Sequence, residues 1–533
     1  MNGRVVVIGS GIVGSSVAYH LALLGWTDVV TVDQGDPVEN PGSTSHAPGG
    51  VVALSHNKTL TQLAVYSSRL YATLEPFSPD RRMVNGVGIL DVAISSRRMA
   101  DLVRLHGESI SFDTGAKLLT PAETAEIHPL INPQAMVGSI FMTEGQTVAP
   151  AHISGAMQRD GGVQVLGQTE VTDLEIAGGR VRAVITNHPD HPRIECDHAV
   201  IATNIWAPLL GERLGVPIPL MGYEHQYLRT GPLPELERFD PSHPDEEIVY
   251  PSVRELDTYI YFRQHWNSFG VGSYRHAPRP VPAGSVGPNA IHPFTPADFE
   301  GEAWEKARRI FPLLAKTDFR SYPRTINGIF AFPVDGMPIV GPAPIEGAWV
   351  AAGSWLTHAG GVGKVLAEWM TAGDTEWDVR QLDVNRFHDF QTTNRFIEVV
   401  CNKNYAEIYD IIHPKEPITE PRNVRLSAFH NRHLANEAVF TTFAGLELPN
   451  WFESNASLVE TYADSIPKRQ GWAAEHWSPI QGAEHLATRD RVGLFDLTGL
   501  SIIEVRGREA LRAVQWLCSN QLDVSPGRVV YTT

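Results

Sequence analysis

Gly9, Gly11 and Gly14 stand in the spacing G-x-G-x-x-G near the start of the chain, and Asp33 follows about 20 residues beyond them. Residues of these types at these intervals hold a pyrophosphate and a ribose. Gly9 permits a tight turn, Gly11 lets the backbone approach phosphate oxygens, and Gly14 lets a helix lie close on its strand. The carboxylate accepts from a ribose hydroxyl. The elements that must place them can be read directly. Residues 5–8 are an apolar, β-branched run suited to a buried parallel strand, and a helix over 12–24 turns its free N–H groups toward the phosphates. A second strand over 29–32 delivers Asp33, and Ile12, Val13 and Gln34 lie within the same site. A chance glycine turn in a βαβ unit is the plain alternative, but it would not bring strand, helix and acid together. The motif alone leaves NAD and FAD open.

The next stretch, 42–50, is rich in small residues, so its backbone can lie against a flat ligand. Ser43, Thr44 and Ser45 lead to one histidine, His46. The glycine fingerprint together with this Ser-His-Ala-Pro-Gly run resembles the dimethylglycine oxidase, dimethylglycine dehydrogenase and sarcosine dehydrogenase group of flavoproteins. The resemblance implies FAD attached covalently through the His46 imidazole. The plain reading of His46 is a loop histidine bonded to a carbonyl or to water.

A second strand, glycine loop and helix start stands late in the chain: a strand at 348–352, a loop over 353–363 and a helix over 364–370. Two such loops so far apart favour FAD over NAD. By the resemblance, N–H groups of Thr357, Gly360, Gly361 and Val362 face the polar edge of the flavin ring, where negative charge grows on reduction. The strand at 196–202 ends in a small-residue turn at Ala202, and the resemblance places Val171 near the adenine.

Between these parts, strands from 217 to 274 alternate apolar with aromatic and polar residues, as in an antiparallel sheet with one covered and one working face. Removing a hydride from an N-methyl carbon requires an unprotonated nitrogen, so a group that takes or relays a proton is needed, and histidine suits that task. The resemblance places His225 and Tyr261 in the amine site, His225 as base or relay and Tyr261 as a positioning hydrogen bond. Without it, Tyr227, Tyr259 and Tyr261 read as aromatic sheet fillers and His225 as a satisfied polar neighbour. Period-2 alternation puts Tyr259 and Tyr261 on one face and cannot choose between them. Arg263 shares that face and reads as a carboxylate ligand or a surface salt bridge. The acidic, proline-rich stretch 233–248 reads as a solvated lid or a plain surface loop.

The expected fold is therefore α/β plus α+β. A Rossmann-type FAD-binding domain over 1–373, with FAD parts at 1–60, 160–215 and 325–373, encloses an antiparallel substrate part at 217–324; the resemblance makes the whole D-amino-acid-oxidase-like. A connector follows at 374–424. Residues 425–533 resemble the first part of a folate-binding aminomethyltransferase domain, ending in an apparent strand before the acid that attends folate in that family. The resemblance implies tetrahydrofolate for the full-length family and leaves its binding by this shorter stretch open, and the half-built sheet calls for a partner chain or oligomer to cover it. His430 and His433 lack zinc-like partners and read as solvated turn residues, so no metal is expected.

Length and composition limit the rest. The chain has 533 residues, enough for two or three domains, with 43% hydrophobic and 19% charged residues, as in a globular enzyme. A formal charge of −17 argues against nucleic acid or anionic membranes as partners. Three scattered cysteines suit a reducing compartment, no run approaches a membrane span, and the first strand leaves no room for a leader, so the expected location is cytoplasmic. The expected function is oxidative demethylation of a small N-methylated amino acid, dimethylglycine first, with oxygen or an electron-transfer flavoprotein as acceptor. The alternatives are a sarcosine or other methylamine dehydrogenase, and a folate-dependent transfer or binding protein with an inert flavin domain.

Overall fold

The computed structural model describes residues 3–79, 81–317, 324–443 and 445–533. It divides into two compact units, Met1–Ile412 and His413–Thr533, a division that falls inside the segment 374–424 expected as one connector.

The first unit is built on a six-stranded sheet in the order Ile339–Pro342, Ala348–Ala352, His198–Ile201, Val5–Ile8, Val29–Val32, Gln164–Leu166. All pairings are parallel except the first. Segments far apart in sequence thus share one sheet. Val5–Ile8 is buried along its whole length, which is why it reads as a continuous apolar run. Two close approaches fix the glycines. Gly9 has φ +105°, and a Cβ there would lie 2.7 Å from the Ala202 carbonyl oxygen. A Cβ on Gly14 would lie 1.9 Å from the Gly9 carbonyl oxygen, so the helix Ile12–Leu23 can sit on its strand only with hydrogen at that position.

The late glycines do not form a loop. The helix begins at Leu356 and runs to Ala372, eight residues before the expected start at 364. Its glycines are helix-packing residues: a Cβ on Gly360 would meet Ser67 Cα at 2.8 Å, on Gly361 the Leu63 Cα at 2.6 Å, and on Gly363 the Ser16 carbonyl carbon at 2.6 Å. They let the helices Ile12–Leu23 and Lys58–Thr73 press backbone to backbone against it.

The second sheet has nine strands and draws on more of the chain than 217–324. Its long strand Leu220–Arg229 pairs with Ser268–Ser273 and with Arg324–Pro333. Ile260–His265 and Ser252–Glu255 continue it, and Ser252–Glu255 lies parallel to Ile89–Ala93, which leads on to Gly138–Met142 and Lys117–Leu119. The parallel junction joins strands more than a hundred residues apart, a pairing that periodicity within either segment cannot disclose. Residues 96–127 hold the helix Ser96–Ser111, the edge strand Lys117–Leu119, which pairs with Gly138–Met142, and a helix Pro121–Ile127 with a Thr120–Glu123 capping box.

Residues 233–248 are not a solvated lid. Leu233, Leu236, Phe239 and Ile248 are buried, and the first three pack into the core beneath the second sheet. Glu247 is 1% exposed and pairs with Arg81, Arg263 and His265. Acidic residues flanking apolar ones hid that burial.

In the second unit, Leu446–Phe452 pairs with Ala438–Phe443 and Arg425–Leu426. The helices Pro479–Asp490 and Ala510–Leu517 follow. The strand expected at the end of the chain is irregular backbone, with Val529 93% and Tyr531 88% exposed, because no described strand offers it a ladder. His430 and His433 are buried against Phe440 rather than solvated. Among the described residues no cluster of metal-ligating side chains occurs, and no helix is long and apolar enough to cross a membrane.

The glycine contacts make a direct prediction. Gly361→Val pushes against the Leu63 backbone, which cannot rotate away, and should destabilise the first unit by ~1–3 kcal/mol. A lower urea midpoint for that unit is the expected readout; an unchanged midpoint would show that the helices can separate freely.

Candidate active site

One cavity of about 1230 Å³ runs through the first unit, larger than the roughly 300–1,000 Å³ common for small-ligand pockets. At one end its wall is Gly9, Gly11, Ile12, Val13, Asp33, Gln34, Val171 and Ala202. Asp33 is held by its neighbours: its two carboxylate oxygens accept the backbone N–H groups of Ser10 (2.7 Å) and Gly35 (2.8 Å). Thr44 Oγ1 accepts from the Ile12 N–H at 3.0 Å, tying the small-residue stretch to the helix start. Of the site residues expected between Gly9 and His46, Gly14 and Ser45 do not reach the wall. Gly14 is a packing residue, and the Ser45 hydroxyl donates to the Gly42 carbonyl at 3.4 Å.

His46 lies on the cavity wall near the middle. Its Nδ1 is buried without a hydrogen-bond partner, and burial pushes its pKa down. Gly328 on the facing strand makes room for it, since a Cβ there would lie 2.8 Å from the His46 Cβ. An orphaned ring nitrogen at a cavity wall is costly unless something completes it.

The helix Leu356–Ala372 meets the cavity with its first turn. Thr357 lies on the wall, with its hydroxyl donating to the Gly50 carbonyl at 3.4 Å. Gly360, Gly361 and Val362 do not line it. The Gly360 N–H donates to the Tyr71 hydroxyl (3.2 Å) and the Gly361 N–H to Ser67 Oγ (3.0 Å), while Val362 is fully buried. What this end of the helix offers the cavity comes from Gly353–His358, including His358, which sequence reasoning passed over.

The far end is aromatic. His225 and Tyr261 do meet: His225 Nε2 and the Tyr261 hydroxyl are 2.8 Å apart. Register explains it. Tyr227 and Tyr261 both lie opposite Gly272, in neighbouring strands. A Cβ on Gly272 would fall 2.0 Å from Tyr261 Cζ, so the ring lies across the glycine toward His225, two residues from Tyr227. Tyr274 stacks on His225 with centroids 4.1 Å apart, and Phe330 meets it edge-on at 5.5 Å. This burial drives the His225 pKa down to about 3 and that of Tyr261 well up, so both are neutral near pH 7.

Tyr259 does not share the face of Tyr261. Its φ of +62° breaks the alternation before the strand starts at Ile260, and its hydroxyl donates to Asp410. Arg263 is neither a surface ion pair nor a free cation: it is 5% exposed, pairs with Glu247 at 2.9 Å and donates to the Pro48 carbonyl. Sequence reasoning missed Arg254 and Tyr409, both on the cavity wall. Tyr409 follows the helix Asn394–Ala406 and stands 5.2 Å from the Tyr274 ring. The Tyr405-Ala-Glu-Ile-Tyr-Asp run is its only sequence signal.

The residues of the first end fit a dinucleotide and those of the far end a small apolar-bodied molecule. Residues 4–369 match the family described as FAD dependent oxidoreductase, residues 372–427 its central domain, and residues 429–533 the GCVT N-terminal domain. The chain belongs to the FAD dependent oxidoreductase family. It is 28% identical to 4-methylaminobutanoate oxidase (formaldehyde-forming) of Paenarthrobacter nicotinovorans, over 99% of this chain and 62% of that protein. Identity is 29% to the mitochondrial pyruvate dehydrogenase phosphatase regulatory subunit of Mus musculus (99% and 59%) and 26% to its mitochondrial sarcosine dehydrogenase (99% and 59%). The chain thus spans about three fifths of the length of these relatives. In structure it resembles L-proline dehydrogenase from P. horikoshii, with a TM-score of 0.61 and 23% identity over 72% of this chain and 98% of that one, a likeness of fold.

A pH dependence follows. His20 and His358 (about 4), and His128, His225 and His265 (about 3), are all held neutral by burial, against an ordinary value of 6.5. Below that value the unfolded chain binds protons that the folded chain refuses. Stability is therefore complete above pH ~6.5 and falls as the pH drops toward the folded values. Histidine NMR should show the His225 ring signals unmoved from pH ~8 to ~5, while thermal stability already declines; titration of His225 near 6.5 would contradict the burial argument.

Proposed function

We propose that the chain oxidatively demethylates a small N-methylated amino acid, with FAD joined covalently to His46 and dimethylglycine as the first substrate to test. The observation that carries this reading is the neutral His225–Tyr261 pair in an aromatic pocket at the end of the same cavity whose other end holds the pyrophosphate-binding glycines. FAD, when bound, accepts the hydride from the N-methyl carbon and passes the electrons to oxygen or an electron-transfer flavoprotein.

The protein's share is to prepare the amine. The burial that strips the charge from His225 acts equally on a substrate ammonium placed beside it, lowering its pKa toward neutrality. His225 serves as a relay rather than a resting base: the departing proton crosses the His225–Tyr261 hydrogen bond on its way to bulk water, because the burial that keeps His225 neutral does not let it retain the charge. The nitrogen lone pair is then free to support the iminium that forms as hydride leaves carbon. Water hydrolyses the iminium to formaldehyde and the demethylated amino acid. Phe330, Tyr274 and Trp355 exclude bulk water and present ring faces suited to an alkylated nitrogen. Dimethylglycine comes first because Ser45-His46-Ala47-Pro48 resembles the oxidase branch most closely.

The relative named as a regulatory subunit supports a second reading, an inert flavin domain, and one experiment separates the two. Acid precipitation of purified protein should leave a yellow pellet, and His46→Ala should move the colour to the supernatant. Dimethylglycine should bleach the flavin anaerobically, and His225→Gln should slow bleaching by about 10²–10⁴-fold. A folded but colourless protein defeats the proposal, and a yellow protein that no N-methylated amine bleaches supports the regulatory reading.

A further inference from the structure

We infer that Arg254 is the carboxylate-binding residue of the substrate pocket, and that Asp91 is the positioning residue that aims it. This assignment rests on the amine-oxidation reading above and specifies which part of the substrate the pocket recognises.

Arg254 and Asp91 are directly opposite each other on the parallel strands Ser252–Glu255 and Ile89–Ala93. Asp91 is fully buried and grips one edge of the guanidinium, accepting from Nε at 2.7 Å and from one terminal nitrogen at 2.5 Å. A guanidinium carries five N–H donors in a fixed plane, and this pairing takes two of them. Tyr409 is the other polar neighbour, its ring 5.5 Å from the guanidinium carbon and its hydroxyl close enough to interact. The Arg254 side chain retains 21% exposure and lies on the cavity wall, so its remaining donors have the cavity to face.

Its place is set by register. Arg254 pairs with Tyr261 on the next strand, so both side chains leave the same face of the sheet, and Tyr409 bridges the guanidinium to Tyr274, the ring stacked on His225. Cross-strand partners hold their Cβ atoms about 4.5–5.5 Å apart. A molecule with its nitrogen at the His225–Tyr261 pair therefore has this cation on the wall of the same cavity to take its carboxylate. The other arginines on the wall do not serve. Arg263 is engaged by Glu247 and Pro48, and Arg213 lies on the helix Ala207–Leu214, which packs against the strand bearing Val171 at the dinucleotide end.

The pair is also built for aim rather than for charge alone. Asp91 neutralises the guanidinium's excess charge, which keeps the pocket from repelling the amine end of a zwitterion. It also fixes the plane, so the open edge presents a two-donor fork. Lysine at 254 would keep the charge and lose the fork.

The test uses the flavin-loaded full chain. Wild type, Arg254→Gln, Arg254→Lys and Asp91→Asn are assayed on dimethylglycine, sarcosine and 4-methylaminobutanoate, and on N,N-dimethylethylamine, which lacks the carboxylate. For the wild type, kcat/KM for the best amino acid should exceed that for N,N-dimethylethylamine. In Arg254→Gln that preference should fall on the order of 100-fold, chiefly through KM. Arg254→Lys should restore part of it, and Asp91→Asn should raise KM with little change in kcat. Acetate, titrated against the visible flavin spectrum, should bind more weakly to Arg254→Gln by a similar factor. If both substrate types lose activity equally and acetate binding is unchanged, Arg254 is only a structural ion-pair partner and the inference falls. If the wild type oxidises none of the amines, the functional reading falls with it.

Discussion

The close approach of Gly9 to Ala202 is the constraint on which the molecule depends. A side chain at Gly9 would run into the Ala202 carbonyl, so the turn after the first strand and the end of the strand His198–Ile201 touch backbone to backbone. That contact joins residues almost two hundred positions apart and forms the floor of the cavity's dinucleotide end. Gly14 repeats the same economy of space one helical turn later, and Gly360, Gly361 and Gly363 do so on the helix Leu356–Ala372. The first unit is assembled by removing Cβ atoms wherever distant segments must meet.

The far end of the cavity works by the opposite means. There bulk is added until water is gone: Tyr261, Tyr274, Phe330 and Trp355 line the wall around His225. Desolvation by these rings sets the charge state of every group among them. His225 and Tyr261 are neutral partners because neither can carry charge there at moderate cost. Arg254 stays charged because Asp91 accompanies it into the interior and burial is offset by a two-point hydrogen-bonded pair. Buried polar groups in this sheet come paired across strands: Tyr261 with His225, Tyr227 with His265, Arg254 with Asp91.

Where sequence reasoning failed, it failed on neighbours. Asp33 was legible because the glycine motif fixes its spacing, and His46 was pointed out by the family resemblance; both line the cavity. The strand Val29–Val32 was legible because its pattern is local. Gly360, Gly361 and Val362 were misjudged because a glycine-rich run looks the same whether it is a phosphate loop or a helix flattened for packing. Arg263 looked available because Glu247 lies in a stretch whose charge made it read as solvent-exposed, whereas that carboxylate is buried and already holds the arginine. Tyr259 was placed on the wrong face because a single positive φ resets the period of two.

The sequence by itself determined the dinucleotide fingerprint, and its family resemblance pointed to His46, His225 and Tyr261, since spacing and family likeness depend on order along the chain. Only the tertiary structure decided which cation faces the cavity, which glycines pack helices, and which histidines are stripped of charge. Those properties belong to pairs of atoms brought together from distant segments, and a linear sequence carries no distance between them.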